Sequence, residues 1–212
     1  MDQPTEVPSL VLLAAGSGTR MGGPKALLHY EDGTSLVARQ VERMSEAAAS
    51  RGFDADVLVV LGPCIAEASR LVTSRARVVE NPCFGEGLST SLRAGLQAVP
   101  HGASGAVISL VDLPDVPAEA YGRMLDALTL GALARAHWNS VPGHPVAIGR
   151  DHFAEAIDSA HGDKGLRTML ALHEVSGIEC ADLLPPERSG IIDLDTPESA
   201  ARRGLHLKGH DT

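Results

Sequence analysis

The chain has 212 residues, of which 44% are apolar and only 3% aromatic, and its formal net charge is -9. This length allows one α/β domain with a sizeable core and is short for two domains. The acidic balance argues against nucleic acid as the main partner, because a phosphate backbone is bound by clustered Lys and Arg, but a small anionic ligand needs only a local cationic loop.

Cysteine usage and hydropathy indicate the compartment. Cys64, Cys83 and Cys180 are widely spaced and form no CxxC pair, so we expect free thiols rather than a disulfide framework or a zinc site. The first residues are acidic, and the apolar run 9–15 is too short to span a membrane. We see no signal peptide and no membrane helix, and we therefore expect a cytoplasmic protein without a membrane partner.

The first half of the chain alternates apolar runs with amphipathic segments, the pattern of an α/β fold. Ser35 can cap a helix by accepting from its unbonded N–H groups, and Gly52 can end that helix. In chain order we predict strand 10–15, helix 36–50, strand 57–61, helix 65–72, strand 77–80, a helix from Ser89 or Thr90 through Val99, and strand 106–111.

The second half continues this alternation with less regular spacing. Pro117 is favourable in the first turn of a helix, where its missing N–H would be unbonded anyway. We predict helix 117–130, two strands within 133–148 joined around Pro142 and Gly143, helices 151–159 and 165–173, strand 191–195, and a helix from Pro197. Because no repeat or linker interrupts the pattern, we predict a single three-layer α/β domain over 1–212 with a mainly parallel sheet.

A glycine-rich loop follows the first predicted strand and is the most informative segment. Residues 16–23 contain four glycines, so successive backbone N–H groups can converge on phosphate oxygens. Arg20 can bind phosphate oxygens bidentately, and Lys25 adds a compact positive charge. This combination predicts a triphosphate site.

Two better-known phosphate loops do not match. The dinucleotide fingerprint GxGxxG would place its third glycine at Met21, and Gly62 and Pro63 stand where the second strand should offer a ribose-binding acid. The P-loop GxxxxGK would place its lysine at Pro24. The loop therefore indicates a different class of nucleotide-binding protein.

Three aspartates are candidate magnesium ligands. Asp112 directly follows a buried strand, so it lies at the carboxyl edge of the sheet, where open α/β sheets bind ligands. Asp193 and Asp195 alternate along the predicted strand 191–195 and would share one side of it. Mg²⁺ prefers one or two carboxylates together with water and phosphate oxygens. The alternative is that Asp112 belongs to a turn and Asp195 or Thr196 caps a helix.

The sequence motifs, in their order, resemble the MobA-like nucleotidyltransferase superfamily, and within it the molybdenum cofactor cytidylyltransferase family. The motifs that carry the resemblance are LAAGSGTRMGGPKALL near the start, NPCFGEGLSTSLRAGL at 81–96, LVDLP at 110–114, GHPVAIGRDHF at 143–153, GDKGLRTML at 162–170, and IIDLDTPES near the end. The resemblance implies a Rossmann-like nucleotidyltransferase domain that transfers a nucleotide to a phosphorylated acceptor, molybdopterin, and releases pyrophosphate.

The resemblance also implies residue roles. Arg20, Lys25 and Asp112 would be catalytic, Asp112 and Asp195 would hold Mg²⁺, and His144 and Asp163 would face the acceptor. The nucleotide would lie against Leu13, Ala14, Ala15, Gly16, Gly18, Arg20, Lys25, Gly87, Ser89 and Ser91. The acceptor phosphate is already ionised, so in-line attack on the α-phosphorus needs positioning and charge neutralisation rather than a general base.

Several departures from the family pattern leave the substrates open. Leu113 stands where Gln is frequent, Leu166 stands where Ala is usual, and no Arg lies around Asn139 or Val141 to meet an acceptor phosphate. Pro24 stands where guanylyltransferases typically carry Asp, which favours CTP over GTP. His144 could also be an ordinary loop histidine, and Asp163 could cap the following helix.

Two further hypotheses therefore stay open beside cytidylyl transfer to molybdopterin. One is guanylyl or other nucleotidyl transfer to a pterin, a sugar phosphate or an alcohol phosphate. The other is a non-catalytic accessory protein that helps a partner molybdoenzyme to mature.

Overall fold

In the computed structural model, which describes residues 7–63, 65–72, 74 and 76–207, helices cover both faces of a sheet. The strands are β1 (Ser9–Ala14), β2 (Leu28–Tyr30), β3 (Asp56–Leu61), β4 (Ala76–Glu80), β5 (Gly105–Leu110), β6 (Leu133–Trp138), β7 (Val141–Gly149), β8 (Ser176–Glu179) and β9 (Leu205–Leu207). The helices are α1 (Leu36–Ser50), α2 (Ile65–Leu71), α3 (Leu88–Ala98), α4 (Ala118–Asp126), α5 (Phe153–Ser159), α6 (Arg167–Leu170) and α7 (Pro197–Ala201).

The sheet is mostly parallel. Within the described residues it has seven strands in the order β4-β3-β1-β5-β7-β6-β8. β1 pairs in parallel with β3 and β5, β3 pairs in parallel with β4, and β6 pairs in parallel with β8. β7 runs the other way, since it pairs antiparallel with β5 and with β6. The predicted α/β fold with a mainly parallel sheet is confirmed.

Both faces of the central strands are buried. Leu10 and Leu12 of β1 pack into the core shared with α1 and α4, whereas Val11 and Leu13 pack into the core shared with α3, α5 and α6. Alternate residues of a strand point to opposite faces, so a strand covered on both sides must be apolar throughout. This arrangement explains the unbroken apolar run in the sequence and produces the three layers.

Helix α1 begins and ends as its sequence predicts. The Ser35 hydroxyl accepts a hydrogen bond from the backbone N–H of Ala38 at 3.2 Å, which satisfies one of the free donors of the first turn. After the last turn Gly52 adopts a φ of +72°, a left-handed conformation that glycine adopts without strain.

The turn between β6 and β7 lies at Asn139 and Ser140, so the prediction of a turn around Pro142 and Gly143 is wrong. Asn139 and Ser140 have φ values of +54° and +66°, as a two-residue hairpin turn requires. Their backbone N–H groups each donate to the Glu179 carboxylate at 3.0 Å. Hydrogen bonds from backbone N–H groups, of Ala181 first and then of Ser140 and Asn139, lower the pKa of Glu179. The Glu179 carboxylate, which is remote in the sequence, thus stabilises a turn that contains no glycine.

Four further features of the secondary structure differ from the prediction. Residues 191–195 form a loop rather than a strand, because their link to the sheet is a hydrogen bond from Leu194 N–H to the Asp112 carbonyl at 3.0 Å. The helix predicted over 117–130 covers 118–126, with Pro117 as its N-cap residue. The helix predicted over 165–173 covers only 167–170, after Gly165 at a φ of +51°. The short strands β2, β8 and β9 were not predicted, and β2 pairs with β9 outside the main sheet.

The described cysteines are free thiols, as expected. Cys83 is exposed and Cys180 is buried, and burial raises the pKa of Cys180 to about 11. Cys64 lies outside the described residues. None of the helices in the described part of the chain combines the length and the apolar character that crossing a membrane requires.

A buried polar network holds the segment that follows β5. Gln40 of α1 donates to the Leu113 carbonyl at 2.7 Å, and the Tyr121 hydroxyl donates to the Gln40 side chain at 3.1 Å. Asp115, whose side chain is 3% exposed, accepts from Arg203 at 3.0 Å and pairs with Arg188 at 3.5 Å. The segment next to Asp112 is therefore fixed both by α1 and by the C-terminal part of the described chain.

We expect Asp115→Asn to lower the free energy of unfolding by about 1–3 kcal/mol, because it leaves the half-buried Arg203 guanidinium without its counter-charge. Urea denaturation measures this loss. Asp182→Asn is the matched control, since Asp182 is 58% exposed and meets Arg123 at 2.6 Å, and solvent screens that pair. The control should keep the wild-type midpoint. Equal midpoints for both variants would contradict a structural role for the Asp115 pair.

Candidate active site

The candidate active site lies at the carboxyl ends of β1 and β5. The Val111 N–H donates to the Leu13 carbonyl at 3.0 Å, and this hydrogen bond holds the segment that follows β5 against the end of β1. There the chain opens a cavity of about 640 Å³, a volume within the usual range for small-molecule sites. Its lining includes Leu13, Ala15, Gly16, Gly18, Arg20, Lys25, Gly87, Ser91, Asp112, Asp163 and Asp195. Most of the predicted site residues therefore share one cavity.

The glycine-rich loop closes on itself, and Gly18 makes this possible. Its φ is +63°, and a Cβ at this position would lie 1.8 Å from the Gly23 carbonyl oxygen. The Gly18 carbonyl accepts from the N–H groups of Met21 at 2.9 Å and Gly23 at 3.1 Å. Because the loop doubles back in this way, Arg20 and Lys25 both line the cavity.

Lys25 joins two carboxylates that are far apart in the sequence. Its ammonium lies 2.7 Å from Asp112 Oδ2 and 3.2 Å from Asp195 Oδ1. Arg20 lies 3.2 Å from the other oxygen of Asp195. The exposed fraction of the side chain is 18% for Lys25 and 75% for Arg20, so Lys25 is largely enclosed by the cluster whereas Arg20 is exposed.

The two carboxylates keep Lys25 charged. Burial disfavours the ammonium form, but Asp112 and then Asp195 outweigh burial, so the pKa of Lys25 is raised above its usual range. Asp112 Oδ1 is buried and has no hydrogen-bond partner within the described residues. A buried carboxylate oxygen without a partner is costly unless a ligand meets it. The chemistry of this oxygen, beside a second carboxylate, fits a hard cation such as Mg²⁺.

Asp195, and not Asp193, lies beside Lys25 and Asp112. Asp193 lines a neighbouring cavity instead. The prediction that both aspartates share one side of a strand is wrong, because residues 191–195 are a loop. Thr196 caps α7 by accepting from the Ser199 N–H at 3.2 Å, so the predicted helix cap is Thr196 and not Asp195.

The start of α3 also lines this cavity of about 640 Å³. Gly87 has a φ of +108°, and a Cβ there would lie 2.7 Å from Asp163 Oδ1. The same Asp163 oxygen accepts from the Leu88 N–H at 3.3 Å, so Asp163 meets the first residue of α3 rather than capping the following helix. Ser91 lines the cavity and accepts from Asn81 at 3.0 Å. Ser89 and Ala14 are buried and are not part of the lining.

A second cavity of about 330 Å³ adjoins the first, and the two share Leu13, Leu88, Leu110 and Asp163 as lining residues. His144 lines it as a strand residue of β7, not as a loop residue. A ring nitrogen of His144 lies 3.4 Å from the Ile108 carbonyl oxygen, and burial lowers the pKa of this histidine, which favours the neutral imidazole.

Sequence reasoning gave no role to Arg135, which lines the second cavity. Arg135 and Asp193 line it, together with Lys164 and Arg167. The sequence offers no arginine near 139–141, but the structure supplies Arg135 from β6, where it pairs with Val146 of β7. The pairing of Arg135 with Val146 follows from the position of the hairpin turn at Asn139 and Ser140. That turn is stabilised by Glu179, which is remote in the sequence.

Known proteins resemble this chain in sequence over most of its length. Residues 10–177 match the family model of the MobA-like NTP transferase domain. The chain is 33% identical to "Nicotine blue oxidoreductase" of Paenarthrobacter nicotinovorans, over 93% of this chain and 98% of that protein. It is 25% identical to the molybdenum cofactor cytidylyltransferase of Escherichia coli (strain K12), over 89% of this chain and 91% of that protein.

Solved structures extend the similarity to the fold. Rv0371c from Mycobacterium tuberculosis H37Rv is 28% identical, with a TM-score of 0.72 over 93% of this chain and 97% of that chain. A structure of the same protein in complex with manganese has a TM-score of 0.65 at 28% identity, over 96% of this chain and 99% of that chain.

We expect Lys25→Met to lower the free energy of unfolding by about 1–3 kcal/mol, because it leaves two neighbouring carboxylates without their shared cation. Urea denaturation in a metal-free buffer measures the change. The folded-state pKa of Lys25 is raised, so its contribution is fully present below the ordinary value of 10.5 and is lost only as the pH rises through the folded-state pKa. The deficit should therefore be the same at pH 7 and pH 9.

Arg20→Met is the matched control, since it removes a cation from the same cluster at an exposed position. It should unfold close to the wild-type midpoint. A Lys25→Met variant as stable as Arg20→Met would show that the bridge contributes nothing to the fold.

Proposed function

This chain belongs to the MobA-like NTP transferase family, and we propose that it transfers the cytidylyl group of CTP to a phosphorylated acceptor, molybdopterin, with release of pyrophosphate. One observation carries the proposal. Lys25 lies between Asp112 and Asp195 beside a glycine-rich loop, and the loop opens into a cavity of nucleotide size. A pure binding protein has no need of paired carboxylates and two cations around one phosphate site.

The chain's own residues would bind and neutralise the triphosphate. Residues 15–20 of the glycine-rich loop line the cavity, and their backbone N–H groups would meet phosphate oxygens. The Lys25 ammonium has three donors, and two of them face carboxylates, so one remains for a phosphate oxygen. Arg20 is exposed and can turn its planar fork towards the outer phosphates.

Asp112 and Asp195 would hold Mg²⁺. The buried, unpartnered Oδ1 of Asp112 supports this assignment, and so does the manganese complex of Rv0371c, a relative of 28% identity. When bound, Mg²⁺ supplies Lewis-acid polarisation of the α-phosphate and neutralises charge on the leaving pyrophosphate.

Positioning would account for the transfer itself. An acceptor phosphate oxygen bonds to the α-phosphorus in line, while the bond from that phosphorus to the α–β bridging oxygen breaks and pyrophosphate leaves with the electron pair. The attacking phosphate is ionised at neutral pH, so no base is needed. The described residues that line the nucleotide cavity accordingly include no histidine.

The acceptor would occupy the second cavity, beside His144 and Asp163. The two cavities share Leu13 and Leu110 as lining residues, so a ligand bound in the second would lie next to the α-phosphate of a nucleotide bound in the first. Asp163 lines both cavities and accepts from the Leu88 N–H at the start of α3, so it would lie between the two ligands.

A second candidate function is an oxidoreductase reaction. The relative from Paenarthrobacter nicotinovorans carries that activity in its name and is 33% identical over nearly its whole length. An oxidoreductase reaction of this chain would need an electron donor or an electron acceptor. Incubation with NADH or NADPH and candidate dyes, followed through the absorbance of the reduced nicotinamide, separates this function from pyrophosphate release. An accessory protein would show neither activity.

We expect Asp112→Asn and Asp195→Asn each to lower pyrophosphate release from CTP and molybdopterin by about 100-fold or more, because an amide is a poorer Mg²⁺ ligand and charge stabilisation at the transition state is lost. A coupled pyrophosphate assay across a magnesium series measures the effect.

Asp193→Asn is the control for that series, since Asp193 lines the neighbouring cavity. It should keep the wild-type dependence on magnesium concentration. A magnesium requirement shifted by Asp193→Asn and not by Asp195→Asn would reassign the second metal ligand.

We expect CTP to stabilise the protein more than GTP in the presence of Mg²⁺. Pro24 offers no side-chain acceptor for the guanine edge, and a buried polar edge left unpaired costs about 1–3 kcal/mol per group. Thermal-shift measurements with each triphosphate test this, since a ligand at ~100 times its Kd stabilises the fold by about 2.7 kcal/mol. A shift with GTP and none with CTP would replace cytidylyl by guanylyl transfer.

A further inference from the structure

Arg135 has an unusual environment for an arginine. It lies on β6, is half-buried, and donates one long hydrogen bond, from its terminal nitrogen to the Gly143 carbonyl at 3.4 Å. Its Nε is buried without a hydrogen-bond partner, and no ion pair joins Arg135 to an acid within the described residues. A partly desolvated guanidinium without a counter-charge is unfavourable, so the fold leaves its donors available to a ligand.

The surroundings of Arg135 are positive. Burial, and then the nearby charge of Arg167, lower the pKa of Arg135, which means that the two guanidinium groups repel each other across the cavity. Lys164 lines the same space, whereas the acids on its lining are Asp163, which accepts from Leu88, and the exposed Asp193. A chain with a net charge of -9 thus concentrates positive charge at one small cavity. Such a field attracts oxyanions.

The shape of the cavity restricts what can carry that oxyanion. Leucine and isoleucine side chains, among them Leu92, Ile108 and Leu166, line the same cavity as the arginines. A volume of about 330 Å³ accommodates a small ring system. The ligand therefore combines an apolar or flat body with an anionic group at one end.

We propose that Arg135 and Arg167 bind the phosphate monoester of the acceptor and orient it towards the nucleotide cavity. This inference rests on the function proposed above and assigns the residues that select a phosphorylated acceptor. Each guanidinium offers a planar fork that matches phosphate oxygens, and two forks on one phosphate neutralise both of its charges. Arg135 thereby takes the place of the arginine that the sequence lacks around Asn139 and Val141.

The test uses inorganic phosphate as the probe, titrated by calorimetry into the full chain with the nucleotide cavity filled by Mg²⁺ and a non-hydrolysable CTP analogue. Phosphate affinity should fall about tenfold or more in Arg135→Met and in Arg167→Met, and less in Arg135→Lys, which keeps the charge without the fork. Arg77→Met is the matched control, because Arg77 pairs with Asp56 on the far strands β3 and β4. It should bind phosphate as the wild type does.

A stability measurement separates binding from a structural role. Without phosphate, Arg135→Met should melt at or above the wild-type temperature, because it removes an uncompensated buried charge. With phosphate, the wild type should gain stability and this variant should not. An Arg135→Met protein that melts lower and binds phosphate normally would overturn the proposal, as would a wild type that binds no phosphate.

The titration is repeated without the nucleotide analogue. Phosphate binding that depends on both arginines supports the anion subsite even if CTP does not bind and the proposed transfer fails. Normal CTP binding together with arginine-independent phosphate binding leaves the transferase function standing and removes the subsite.

Discussion

The contact of Lys25 with Asp112 and Asp195 connects three segments that are remote in the sequence. The glycine-rich loop supplies the lysine, the end of β5 supplies the first carboxylate, and the segment before α7 supplies the second. Repulsion between the carboxylates would otherwise separate these segments, since like charges at short range are unfavourable in a partly buried site. The ammonium therefore keeps these three segments together at one cavity.

The sheet determines where this contact can occur. β1 and β5 are adjacent and parallel, so the chain leaves both strands at the same edge. Gln40 and Tyr121 then fix the backbone just beyond β5, and the buried Asp115 ties it to Arg203. Polar groups buried with all their partners specify one arrangement more strictly than apolar packing does. The position of Asp112 is therefore set by α1, by α4 and by the C-terminal part of the described chain.

Local sequence patterns predicted most of the regular elements, since apolar runs, the Ser35 cap and Gly52 act over a few residues. The failures have a common cause in long-range contacts. Residues 191–195 have the alternation of a strand, but their neighbour is the Asp112 carbonyl and not a full strand. The hairpin turn lacks glycine, and a carboxylate about forty residues later compensates for it. Three-residue strands such as β2 carry too little pattern to recognise.

The site residues divide in the same way into those that local sequence patterns indicate and those that long-range contacts determine. Arg20, Lys25 and Asp112 follow recognisable signals, and the structure brings them into one cavity. Asp195 could not be separated from Asp193 by sequence, because the choice depends on how a loop docks. Arg135 gave no signal, because its significance lies in the absence of a counter-charge, which only the assembled cavity reveals.

The Glu179 carboxylate also bears on the order in which the molecule assembles. It belongs to β8, the strand at one edge of the sheet. Its oxygens accept hydrogen bonds from backbone N–H groups of the β6–β7 turn, which lies about forty residues earlier in the sequence. The β6–β7 hairpin is thus incomplete until the edge strand docks, and the two elements form one cooperative unit. Fraying at that edge would reach His144 and Arg135 along their strands before it reached the loop after β1. The cavity lined by His144 and Arg135 therefore depends on the docking of an edge strand, whereas the glycine-rich loop and Asp112 extend from two strands at the centre of the sheet.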